Sequence, residues 1–134
     1  VPLITPAPAR RAAAIVLSLL GAPLLLVLTG CQATFTADIR NETPQPLFAA
    51  IRQRTDDGRN PILAQQRLGP GDRGSVGPVR APVGRALLVL DTRPNPQGPW
   101  TTDLRPGITV FSVTQKGDQT AGPLEVRQVA QTPP

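Results

Sequence analysis

Residues 34–41 read TFTADIRN and alternate without a break: Phe35, Ala37 and Ile39 fall on one face, Thr34, Thr36, Asp38 and Arg40 on the other. Side chains along an extended strand point to opposite faces with period two, so this is a strand with one side in a core. The same pattern continues outward from it. In LFAAIRQRT (47–55) the inward set is Leu47, Ala49 and Ile51, and ILAQQRL (62–68) is a third, weaker strand. RALLVLDTR (85–93) carries Leu87, Leu88, Val89 and Leu90 in succession. Such a run predicts a central strand covered on both faces. Trp100–Leu104, ITVFSVTQ (108–115) and LEVRQVA (124–130) complete the set. SVGPVRAPVG (75–84) contains Pro78 and Pro82, which cannot donate to a ladder and restrict it to an edge strand or an extended crossing.

Turn signals separate these runs. ETPQP, DDGRNP, PNPQGP and KGDQTAGP are rich in the residues that close tight turns. Leu-x-Pro-Gly occurs at Leu68 and again at Leu104, each time between strands, and reads as one turn solution found twice. No segment shows the 3.6-residue period of an amphipathic helix. The expected architecture is all-β: a small single-domain β-sandwich of about seven strands over residues 34–130, ending in the polar tail QTPP at 131–134. The order of strands and turns resembles immunoglobulin-like and transthyretin-like sandwiches of secreted bacterial proteins. That is a likeness of fold and brings no function with it.

The first thirty residues are different in kind. Arg10 and Arg11 precede an apolar run without charge from Ala12 to Val27. Leu28, Thr29 and Gly30 then lead to Cys31, the one cysteine of the chain. A basic segment, an apolar segment and small residues, in that order, make a secretory signal, here expected as a helical signal peptide over 1–30. A transmembrane helix needs about 20 apolar residues, and the run nearly reaches that length, although Gly21, Ala22 and Pro23 interrupt it. A buried structural thiol is the third reading of Cys31.

Leu28-Thr29-Gly30-Cys31 resembles the lipobox of bacterial lipoproteins at every position. The resemblance implies a diacylglyceryl group on the Cys31 thiol and cleavage between Gly30 and Cys31, with Leu28, Thr29 and Gly30 recognised by the lipoprotein signal peptidase. Cys31 would then begin the mature chain, with 31–33 a short acylated tether. Gln32 in place of aspartate implies passage to the outer membrane, facing the periplasm, in a Gram-negative host that follows the enteric sorting rule. One acyl chain binds a bilayer reversibly and two or more hold stably.

From Cys31 onward there are 104 residues, with twelve basic side chains against nine acidic. Eleven of the twelve are arginines, scattered from Arg40 to Arg127, and aromatic residues are few. Nucleic-acid binding calls for a basic stripe and stacking platforms, so no nucleic-acid partner is expected. The chain has no histidine, tyrosine or methionine, which removes the usual general base and the commonest zinc ligand. Ser75 and Ser112 lie outside any G-x-S-x-G context. Asp56 and Asp57 lack the closing glutamate of a calcium loop and read as a solvated turn. Asn41 reads as a strand-ending turn residue, and Asp72, Asp91 and Asp103 as partners for nearby arginines.

No enzyme, cofactor or metal site is therefore expected. Trp100, after a proline-rich loop, is the candidate binding residue, with a cap on the core as the alternative. The readings converge on a lipid-anchored envelope protein with a non-catalytic binding or bracing role near the membrane. The alternative is an accessory subunit of an envelope secretion or transport complex. Expected partners are membrane lipid, through acylated Cys31, and an envelope protein.

Overall fold

The computed structural model describes residues 30–92, 97–116 and 122–134. Residues 1–29 of the expected signal peptide, Leu28 and Thr29 among them, lie outside the described residues. Eight strands follow: β1 (Gln32–Asn41), β2 (Leu47–Gln53), β3 (Ile62–Leu68), β4 (Arg73–Pro82), β5 (Ala86–Thr92), β6 (Trp100–Asp103), β7 (Gly107–Gln115) and β8 (Leu124–Thr132). They form two four-stranded sheets, β4-β1-β7-β8 and β3-β2-β5-β6, facing each other as a sandwich. All neighbours are antiparallel except β1 and β7, which run parallel.

The alternation predicted for β1 and β2 is present. Phe35, Ala37, Ile39, Leu47, Ala49 and Ile51 are all buried between the sheets, with Val76, Leu88, Leu90, Phe111 and Val113. The proline-bearing run is a full strand, β4, at the edge of its sheet, where the missing proline donors cost no ladder bond. At the β1–β4 irregularity between Phe35 and Ala37, Gly77 takes a φ of 103° and comes so close that an added Cβ would stand 2.7 Å from the Phe35 carbonyl oxygen.

Three expectations need correction. Strand β5 is central in its sheet but covered on one face only. Leu88 and Leu90 are buried, whereas Leu87 and Val89 on the other face are half-buried. Its sheet has a single partner layer, so an apolar run here serves both a core and a solvent face. The tether of 31–33 shrinks to Cys31, because Gln32 and Ala33 already pair with Pro82 and Ala81. The tail likewise shortens to Pro133 and Pro134, since Gln131 and Thr132 pair with β7.

Both Leu-x-Pro-Gly turns carry the chain from the β2 sheet to the β1 sheet, at opposite ends of the sandwich. In each the leucine is buried and the glycine has positive φ, 76° at Gly71 and 98° at Gly107. The first of them meets the β1–β2 corner at Asn41. Asn41 is fully buried, and its Nδ2 donates to the carbonyls of Gln45 (2.9 Å), Leu68 (3.2 Å) and Gly69 (2.9 Å). Its Oδ1 accepts from the Thr43 amide (3.1 Å) and hydroxyl (2.7 Å). One side chain thus joins two sheet-crossing connections.

Candidate functional site

Cys31 is exposed at the tip where β1 begins. Its carbonyl accepts the Val83 amide at 3.0 Å, which fastens it to the β4–β5 turn. Gly30 lies against Pro82, and a shallow recess of about 430 Å³ beside them is lined by Arg54, Thr55, Asp56 and Arg85. The turn between β2 and β3 forms the rest of this end. There Asp57 Oδ1 accepts from the Thr55 hydroxyl (2.6 Å) and the Arg59 amide (3.1 Å). The Thr55 bond, then the Arg59 amide, hold the Asp57 carboxyl below its ordinary pKa of 3.8. Asp56 meets Arg85 at 2.7 Å, and Asp103 meets Arg54 at 2.8 Å. These carboxylates hold the turn and its neighbours together. Among the described residues no three His, Cys, Asp or Glu side chains group to hold a metal ion.

Trp100 lies on the core-facing side of β6, paired with Leu90, and is only partly exposed. Its ring stands edge-on to Phe111 at 6.3 Å and 71°. It therefore spans from one sheet to the other along the side that β6 leaves short, in the manner of a core cap.

The more open surface is the outer face of the β3-β2-β5-β6 sheet. Strand register sets three rows across it: Arg67, Phe48 and Asp91; Gln65, Ala50, Val89 and Thr101; Arg52, Leu87 and Asp103. The small Ala50 between Phe48 and Arg52 leaves a groove of about 540 Å³, which Ile62 and Pro99 also border. That volume lies within the range of small-ligand sites, about 300–1,000 Å³. Phe48 is 37% exposed and carries the Arg67 guanidinium 5.9 Å from its ring centroid. Arg52 donates to the Asn60 carbonyl at 3.3 Å. The groove thus combines apolar Phe48, Ala50, Ile62 and Val89 with two guanidinium groups, Arg52 and Arg67, and one carboxylate, Asp91.

On the opposite face, the Ser112 hydroxyl donates to Glu42 Oε2 at 2.9 Å. The Glu42 amide donates to the Val113 carbonyl at 2.9 Å, so the pair fastens the corner after β1 to β7. Glu42, Glu125 and Arg127 edge a shallow depression there of about 290 Å³. Arginines scattered in sequence also meet on this face. Arg73 stands opposite Arg40, Arg40 opposite Ser112, and Ser112 opposite Arg127. Asp38 lies on one side of that row and Glu42 and Glu125 on the other, so the charges alternate and no basic stripe forms.

Alternation in β2 already turned Phe48 outward, but the groove itself needs the β3 and β5 registers, which single strands do not carry. No protein-family model matches this chain, and no curated protein matches it either.

Proposed function

We propose that the chain is a lipid-anchored protein of the bacterial cell envelope, held through acylated Cys31 at the outer membrane facing the periplasm. In this reading the sandwich binds or braces a component close to the membrane and performs no catalysis. The observation that supports it most is the seat of Cys31. The lipobox cysteine is exposed, and strand pairing begins at the next residue, so an acyl group there would hold the domain directly at the lipid surface. Extended chain spans at most about 3.6 Å per residue, which leaves no reach across an envelope compartment. The test is metabolic labelling with palmitate and membrane fractionation of the tagged full chain beside Cys31→Ala. Label and membrane retention are expected in the parent and absent in the variant. Label in neither chain refutes the reading.

The groove beside Phe48 favours a second reading, as an accessory subunit of a larger envelope secretion or transport complex. Cross-linking from native membranes distinguishes the two. A stoichiometric protein partner, lost in Phe48→Asp, supports the subunit; its absence with the domain still membrane-bound supports the bracing role.

A further inference from the structure

We infer that the end of the sandwich formed by Cys31, the Val83–Arg85 turn and the 54–59 turn is a membrane-docking face, on which the domain stands upright on a lipid bilayer. The inference rests on the anchored reading above and gives it an orientation. The apolar run Ala12–Val27 reaches the domain through Gly30, at this end and no other. Whether that run is retained in the membrane or replaced by acyl chains on Cys31, the lipid lies at the same tip. The tip cannot swing freely, because the Cys31 carbonyl is bonded to the Val83 amide and Gln32 is already paired with Pro82.

Val83 is the most exposed large apolar residue among those described, 54% accessible, and it sits beside the cysteine. There it is placed to enter a lipid surface, since an interfacial segment buries apolar side chains about 5–10 Å into the headgroup–acyl boundary. Behind it Arg85, Arg54 and Arg59 ring the same end, at the depth where guanidinium groups meet lipid phosphates.

Charge does not drive the contact. Arg54, Arg59 and Arg85 are each paired with an aspartate, Asp103, Asp57 and Asp56, so the three arginines of the ring are neutralised in pairs. The attraction is apolar, and its dependence on salt and on anionic lipid is weak. Strands then run along the membrane normal. With a rise of about 3.3 Å per residue, the Asn41 corner stands about 30 Å above Cys31, and the groove beside Phe48 faces sideways and stays open.

The test uses the full chain in native membranes with a polarity-sensitive fluorophore on Val83→Cys, and on Thr101→Cys as a control on the outer sheet face. Lipids carrying nitroxide near the headgroup are the quencher, and pelleting after a high-salt wash reports anchoring separately. The expected result is quenching at position 83 at least about threefold stronger than at 101, unchanged by salt or by removing anionic lipid. Equal quenching at both positions in a chain that still pellets overturns the docking face and leaves the anchor standing. A chain that no longer pellets from membranes overturns both. Quenching abolished by salt refutes the apolar contact.

Discussion

Replacing Asn41 by alanine tests the corner most directly, because the structure says which bonds have substitutes. Four of its five partners keep another, the Thr43 hydroxyl among them through the Gln45 carbonyl and amide. The Gln45 carbonyl still has the Thr43 hydroxyl at 2.9 Å, and the Gly69 carbonyl still has the Asp72 amide at 3.1 Å. The Thr43 amide loses the bond that Asn41 made to it in a buried setting, whereas the Leu68 carbonyl still faces the Leu47 amide across the β2–β3 ladder. A buried polar group left unpaired costs about 1–3 kcal/mol, and the Thr43 amide is one such group, so the expected loss is about 2 kcal/mol. Against a total stability of about 5–15 kcal/mol, that is a large fraction. For a domain of this size it lowers the midpoint of thermal unfolding by about 8–16 °C. Urea unfolding should show the loss in the midpoint with an unchanged slope. Thr43→Val should cost about 1–2 kcal/mol, and the double variant should cost less than the sum, because the two side chains share a bond. A loss below about 1 kcal/mol for Asn41→Ala would refute the claim that this side chain joins the two connections.

Three further outcomes follow from particular contacts. Gly107→Ala should lose more than about 2 kcal/mol, because the added Cβ collides with the Thr132 carbonyl. Gly84→Ala, with a φ of 79° but open space around it, should lose only about 1 kcal/mol; equal losses by chemical denaturation would show that the collision does not matter. Asp57 titrates below its ordinary value in the fold, so its contribution is complete above about pH 4 and disappears as pH falls through the lowered pKa. Asp57→Asn should flatten the midpoint-against-pH curve below about pH 4, and an unaltered acid limb contradicts the assignment. Ser112→Ala should cost about 1 kcal/mol by urea unfolding and leave palmitate labelling and membrane retention unchanged; loss of either property would show that the Ser112–Glu42 pair does more than fasten a corner.

Local alternation made the inward faces of β1 and β2 legible, because each sheet has one covered side and a strand announces it every second residue. It failed at β5. Leu87 and Val89 look like core residues, but what lies over a strand's second face is a property of the whole assembly. Asn41 was legible as a strand end and not as a joint, since two of its acceptors lie at Leu68 and Gly69, 27 and 28 residues away. The Arg73–Arg40–Arg127 row is of the same kind, scattered along the chain and aligned only by register. At Cys31 the sequence carried a resemblance to the lipobox, and the structure added the fastening through Val83.

Strand β1 also determines how the domain carries a load. It enters its sheet between β4 and β7 rather than at an edge. Ladder bonds lie across the strand direction in the antiparallel pair and at a slant in the parallel one. A pull on Cys31 along β1 therefore shears both ladders together instead of peeling one bond at a time. An edge strand in the same place would unzip from its first residue, so a chain held at this end is held by its strongest grip.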